Sequence, residues 1–236
     1  MKRLIILPAL LCLLWTGCKP AHPAKVAMDP SFEPNKVNAV LITPVVSSIG
    51  QGQDPKRQSE SIVNASLMEL LGQRTDYKFV SPEQFKMAIA RGDLASDWAA
   101  FKESWTTRHQ MNKEFFQKLH LELTTDAVLV PLVYLWNKDE ADYRESATSS
   151  ATQVGVTLTL VDPTTGTILW EASDENYKEA VRSEDRTTIQ SAGIDRRIAG
   201  KTELGRDMYA APPYEDVVSL VLKSLVDALP KRGSAQ

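Results

Sequence analysis

The first eighteen residues constrain this chain most, because they decide which part of it is left to fold. Lys2 and Arg3 precede a largely apolar run over residues 4–15, and the small residue Gly17 closes the segment. A membrane-spanning helix needs about 20 apolar residues, whereas a secretory signal has a shorter apolar run between a basic start and a small-residue cleavage site. The pattern therefore predicts a signal peptide over residues 1–17.

Cys18 stands directly after Thr-Gly, and this boundary resembles the bacterial lipobox. In a lipobox the signal is cut before the cysteine, here between Gly17 and Cys18, and the cysteine sulfur carries a diacylglyceryl group. An N-linked acyl chain such as palmitate completes the anchor, and stable attachment to a bilayer takes more than one acyl chain. The resemblance implies that the mature protein is a membrane-anchored lipoprotein of the cell envelope.

The residue after the cysteine bears on the location of the anchor. Lys19 stands where an Asp would favour retention at the inner membrane of enteric-type bacteria. The lipobox resemblance therefore implies the outer membrane, and we expect the protein on its periplasmic face. The alternative reading of the boundary is an ordinary signal peptide that has a cysteine at its end by chance.

The composition of the mature chain, residues 18–236, excludes several functions. Cys12 is lost with the signal and Cys18 is used by the lipid, so disulfides, thiol nucleophiles and cysteine-based metal sites are excluded. Loss of Lys2 and Arg3 lowers the formal net charge from −3 to −5. An acidic chain of this kind is not expected to bind nucleic acid.

Hydrophobic periodicity predicts one domain behind a tether. Residues 18–36 carry four prolines and little apolar content, which predicts a lipidated, Pro-rich tether, whereas residues 37–230 are enough for a single domain. Residues 231–236 are read as a tail, and the charged stretch 176–211 as a mobile excursion. Strands are predicted at 37–45, 77–80, 126–136, 152–161 and 167–172, and helices at 56–71, 82–90, 94–123 (one long helix or a helical hairpin) and 213–229. In the strand 152–161, Val154, Val156, Leu158 and Leu160 alternate toward one face, and the last helix carries a wide apolar stripe.

The order of these elements defines an α/β fold class with a mixed sheet. It begins β-α-β-α, continues through a helical insert at 94–123 and an antiparallel meander of three strands, and ends with a C-terminal helix packed on the sheet. Pro131 argues against a central position for its strand, because a proline cannot donate to a ladder and usually marks an edge or a bulge.

Three stretches of the sequence, residues 38–44, 125–130 and 158–170, resemble strands of one group of envelope proteins. These are periplasmic lipoproteins whose domain is similar to the amino-terminal domain of TolB, among them CsgG, PelC and LpoB. The resemblance implies a non-catalytic assembly or scaffold module for secretion or surface-polymer biogenesis, with envelope proteins as partners and self-association into an oligomer. The alternative, implied by LpoB, is a regulator that docks on a peptidoglycan synthase. A CsgG-type pore is not expected, because residues 137–151 are too polar for a lipid face.

No set of residues assembles a catalytic or metal site in the sequence, so no enzyme activity and no cofactor are predicted. His109 and His120 lie in a helical segment without a matching carboxylate pattern, and we interpret them as solvated side chains. Gly50 and Gly52 lack the Lys-Ser/Thr of a phosphate-binding loop. A hydrolase is the remaining third class of function, and turnover of a cell-wall or polysaccharide substrate would identify it.

Aromatic side chains are concentrated in the helical insert. Their spacing places the first three on one helix face and begins a second stripe after them: Trp98, Phe101 and Trp105, then Phe115 and Phe116. One interpretation is an ordinary core, in which the stripes pack on each other or on the sheet. The other is a partner or self-association face, because aromatic residues are enriched at the centres of interfaces.

The lipobox resemblance predicts the outcome of a single substitution. Cys18→Ser should abolish acylation and release the protein from membranes, because the lipid attachment atom is removed. The intact mass of the mature protein, with its distribution between membrane and soluble fractions, measures both effects. An unmodified Cys18 in the unaltered protein, or cleavage at another bond, would contradict the lipoprotein interpretation.

Overall fold

The computed structural model describes residues 23–140, 150–180 and 211–233. Within these ranges it has seven strands and five α-helices. The strands are β1 (Lys25–Met28), β2 (Ala39–Ile42), β3 (Val46–Ser47), β4 (Lys78–Val80), β5 (Ala127–Asp139), β6 (Ala151–Val161) and β7 (Ile168–Glu179). The helices are α1 (Gln58–Gly72), α2 (Pro82–Arg91), α3 (Ala95–Arg108), α4 (Lys113–Glu122) and α5 (Tyr214–Ala228).

The strands form one mixed sheet in the order β1-β7-β6-β5-β2-β4, and β3 pairs with β5 beyond the end of β2. The strands β2, β4 and β5 are parallel, whereas β5, β6 and β7 form an antiparallel meander. The predicted fold class is therefore confirmed, including the parallel start, the three-strand meander and the C-terminal helix against the sheet.

Helices cover the two faces of the sheet in separate groups and create two cores. On one face α1 and α5 pack over the sheet, with Val63 and Leu67 of α1 beside the apolar stripe of α5. On the other face α2, α3 and α4 pack over Val128 and Val130 of β5 and over Leu41 of β2. The alternation predicted for β6 is confirmed, since Val154, Val156, Leu158 and Leu160 all belong to the α1/α5 core.

Pro131 lies in a central strand, contrary to the expectation that a proline marks an edge. It pairs with Leu158 of β6 on one side. On the other side β2 pairs with β5 as far as Leu129, and β3 begins to pair at Leu132. Pro131 therefore lies where the parallel ladder is interrupted, so the missing N–H does not break a continuous run of hydrogen bonds.

The predicted tether over residues 18–36 is wrong from residue 25 onward. Strand β1 pairs antiparallel with β7, Phe32 is buried, and a 3-10 turn occupies Pro34–Lys36. Strand β1 has only four residues, and Ala27 between Val26 and Met28 is also apolar, so its sequence lacks the apolar-polar alternation by which a half-buried strand is recognised.

One further boundary differs from that predicted. The charged stretch 176–211 begins as strand, because β7 continues to Glu179, and residues 181–210 lie outside the described residues.

The insert 94–123 is a helical hairpin, which is one of the two predicted forms. His109, with a φ of 51°, ends α3, and Asn112 begins α4 by accepting a hydrogen bond from the backbone N–H of Phe115 at 3.1 Å.

The packing of α5 generates a test with a matched control on the same helix. Leu225 is fully buried, whereas Leu220 is 47% exposed. Leu225→Asp should lower the free energy of unfolding by about 3–5 kcal/mol, because it buries an unpaired charge. Leu220→Asp should change it by about 0.5 kcal/mol or less, as surface substitutions do. Urea unfolding measures both, and equal losses would contradict this placement of the helix.

Candidate functional site

The predicted lipidation and cleavage site, Gly17 and Cys18, lies outside the described residues and stays a prediction. Its position along the chain still matters, because Lys25, the first residue of β1, follows only seven residues after Cys18. Among the described residues, no helix is long and apolar enough to cross a membrane.

The five aromatic residues of the insert form the core between α3, α4 and the sheet. Phe101 is its centre, with ring centroids at 5.1 to 6.1 Å from those of Trp98, Trp105, Phe115 and Phe116. Four of the five are at most 1% exposed, and Trp98 is half-buried against Phe85 of α2. The interpretation of these side chains as an exposed partner face is therefore not supported, because contacts within the domain already cover them.

The histidines do not come together in a site. His109 is exposed at the end of α3 and packs edge-on against Trp105 at 5.3 Å, whereas His120 is half-buried in α4. Within residues 23–140, 150–180 and 211–233, no three His, Cys, Asp or Glu side chains are grouped to hold a metal ion.

Asp126, directly before β5, links that strand to the start of β2. Its Oδ2 accepts hydrogen bonds from the backbone N–H groups of Asn38 and Ala39, both at 2.8 Å, and its own N–H donates to the carbonyl of Ala39. The carboxylate therefore satisfies backbone donors at the start of β2.

Asp54 serves the first turn of α1 in the same way. Its carboxylate accepts hydrogen bonds from the backbone N–H groups of Gln58 and Ser59 at 2.8 and 2.9 Å. Burial raises the pKa of Asp54, but these hydrogen bonds and the nearby charge of Arg57 outweigh it, so the pKa lies below its ordinary value. The carboxylate is thus ionised at neutral pH and favourably placed at the positive end of the helix.

The turn between β6 and β7 shows a third structural use of a carboxylate. Asp162 accepts hydrogen bonds from the N–H and the hydroxyl of Thr164, both at 2.7 Å. Gly166 has a φ of 71°, and a Cβ there would lie 2.9 Å from the Cα of Lys113. The turn therefore needs glycine both for its backbone conformation and for its close approach to α4.

A cluster of polar residues after α1 holds the end of α5. The guanidinium of Arg74 donates to the carbonyls of Val226 and Leu229 at 2.9 Å and pairs with Asp76. The hydroxyl of Tyr77 donates to the carbonyl of Pro230 at 2.8 Å. The hydrogen bond from Arg74 lowers the pKa of Asp76, which therefore remains charged and orients the guanidinium.

One concave feature of the described residues is a groove between β1 and the end of α5, called here the edge groove. It has a volume of about 420 Å³. Glu33, Asn35 and Lys231 are its polar residues. The other residues that line it are apolar: Val26, Met28, Phe32, Pro34, Trp170, Ala228 and Pro230.

Val26 and Met28 distinguish the edge groove from the rest of the surface. Six large apolar side chains are prominently exposed in the described part of the chain, and these two, 52% and 43% exposed, are the only pair on one element. Their partners in β7 are Ala172 and Trp170, which are buried in the α1/α5 core. Both side chains therefore extend that core past the sheet edge into solvent. Sequence analysis missed the groove because it did not recognise β1.

Comparison with known proteins gives distant structural likeness only. No family model matches the sequence, and no curated protein matches it. The solved structures that match include lipoprotein GNA1162 from Neisseria meningitidis, at 18% identity, with 69% of this chain and 99% of that chain covered and a TM-score of 0.39. A PelC dodecamer from Paraburkholderia phytofirmans matches at 13% identity, 86% and 96% coverage and a TM-score of 0.40.

The LpoB C-terminal domain from Salmonella enterica matches at 12% identity, with 59% of this chain and 82% of that chain covered and a TM-score of 0.34. At such identities and TM-scores, none of these likenesses carries an argument about function, which has to rest on the residues of this chain. The resemblance to the amino-terminal domain of TolB stays a prediction.

The aromatic core gives the test that separates its two interpretations. Trp105→Ala should destabilise the domain by about 3–5 kcal/mol, because it leaves a cavity beside Phe101. The loss of melting temperature should be the same at low and high protein concentration. A near-normal melting temperature with loss of an oligomer in light scattering would contradict the interpretation as a core and favour the interpretation as a partner face.

Proposed function

We propose that this chain is a lipid-anchored, non-catalytic scaffold of the bacterial envelope, which supports secretion or the biogenesis of a surface polymer from the periplasmic face of the outer membrane. The boundary at Cys18 carries the proposal, because a cysteine after Thr-Gly at the end of a signal-like segment resembles the site at which bacterial lipoproteins are cleaved and acylated. A lipid anchor restricts the domain to one membrane surface, where a scaffold meets its partners.

The use of the polar groups in the domain supports a non-catalytic role. The carboxylates of Asp54 and Asp126 accept hydrogen bonds from backbone N–H groups, and Asp162 holds a turn. A nucleophile and a base need side chains that are free to meet a substrate in a concave site. These three carboxylates instead hold backbone groups of the fold, and the edge groove is mostly apolar.

Crosslinking in living cells tests the scaffold proposal. A photo-crosslinking residue can replace exposed apolar side chains on four different elements, namely Met87 on α2, Leu121 on α4, Tyr177 on β7 and Leu220 on α5. None of these substitutions removes a buried contact, so each variant should fold. If the protein is a scaffold, one or two of the four positions should give crosslinks. The captured protein should be a second copy of this chain or a component of one secretion or polymer-export machine.

The outcome also separates this proposal from the other functions. Capture of a peptidoglycan synthase would replace the scaffold with a regulator of that enzyme. An absence of adducts at all four positions, or turnover of a polysaccharide by the purified chain, would contradict the proposal. The Cys18→Ser variant is the matched control, because a partner that is met only at the membrane should then no longer be captured.

A further inference from the structure

We infer that the edge groove, with Val26 and Met28 of β1 at its lip, lies against the bilayer and receives lipid acyl chains. This inference rests on the proposed function, because it takes Cys18 as the lipid-bearing residue. It adds to that function a fixed orientation of the domain, in which the β1 edge faces the membrane and the other surfaces face the periplasm.

The length of chain between the anchor and the domain carries the first step. Cys18 precedes Lys25 by seven residues, and seven residues span at most about 25 Å even when fully extended. The start of β1 is therefore held within about 25 Å of the lipid attachment point. The opposite edge of the sheet, β4, is five strand spacings, or about 24 Å, from β1, so the connection restrains β4 less tightly than β1. The connection therefore holds β1 within reach of the bilayer more closely than any other strand of the sheet.

The chemistry of that edge carries the second step. Val26 and Met28 are exposed, although both are large and apolar, and they continue into a groove lined by Phe32, Trp170 and Ala228. Apolar surface of this kind gains free energy when it leaves water for hydrocarbon.

The charges around the groove agree with a phospholipid surface. Lys25 lies on β1, Lys231 lines the groove, and Lys19 lies in the connection to the anchor. Glu33 is the acidic residue of the lining, and the ammonium of Lys36 lies 2.8 Å from its carboxylate. Lysines beside a bilayer are attracted by anionic headgroups. Asp29 follows Met28 directly, so Asp29 and Glu33 oppose Lys19, Lys25, Lys36 and Lys231, and the edge keeps a net positive charge beside its apolar lip, which favours an interfacial membrane contact.

A pair of methionines gives the experiment. Met28 on β1 is 43% exposed and Met87 on α2 is 57% exposed, so either can be replaced by cysteine without loss of a buried contact. In the acylated mature chain the introduced cysteine is the only free thiol. Each variant is labelled with an environment-sensitive fluorophore and reconstituted in vesicles of phosphatidylethanolamine and phosphatidylglycerol that contain nitroxide-labelled lipids.

The label at Met28→Cys should shift to the blue and be quenched by the nitroxide lipids several-fold more strongly than the label at Met87→Cys. Val26→Asp added to Met28→Cys should abolish most of this quenching, because a charge is costly within hydrocarbon. Equal quenching at the two methionine positions would overturn the inference. A blue shift at position 28 without quenching by lipid would also overturn it, because a protein contact would then occupy the groove.

The intact mass of each preparation distinguishes failure of this inference from failure of the proposed function. A chain without lipid on Cys18 would overturn the anchor, and with it the reason to place β1 near the bilayer. An acylated chain with no preference between positions 28 and 87 would leave the anchored scaffold in place and overturn only the membrane contact of the β1 edge.

Discussion

The burial of β5 on both faces is the constraint on which the other elements depend. From Ala127 to Val133 its side chains are almost completely removed from water, alternately toward the α1/α5 core and toward the core of the insert. A strand buried in this way needs a helix layer on each side of the sheet. The chain supplies α1 and α5 to one face and α2, α3 and α4 to the other, and each group of helices forms its own core with the sheet.

The two helix layers are held on the sheet by different contacts, because the helices of one layer are close in sequence and those of the other are far apart. The insert is a local hairpin, and Phe101 closes it with four aromatic neighbours from α3 and α4. The helix α5 returns from the far end of the sequence, and its end is fixed by hydrogen bonds from Arg74 and Tyr77, about 150 residues earlier. Stacking of Tyr214 on Trp136, with ring centroids 4.0 Å apart, fixes its beginning.

Sequence analysis predicted those elements whose burial is one-sided and periodic. The alternation of β6 and the apolar stripe of α5 both identified the buried face correctly, because a period of 2 or 3.6 residues reflects the side that is removed from water. It missed β1, which has only four residues and no polar residue between Val26 and Met28 to indicate a period of 2. It also misjudged Pro131, because only the register of β2 and β3 reveals a gap in the ladder at that position.

The aromatic stripe shows why the same method could not choose between a core and an interface. Spacing places Trp98, Phe101 and Trp105 on one helix face, but the element that covers this face is a matter of tertiary structure. The structure covers it from within the domain, with α4 and the sheet. The pair Val26 and Met28 presents the opposite case, because these side chains are continuous with a core and yet no described element covers them. This apolar surface lies beside a core and only seven residues after the proposed lipid anchor at Cys18, so burial against a bilayer would remove apolar area from water.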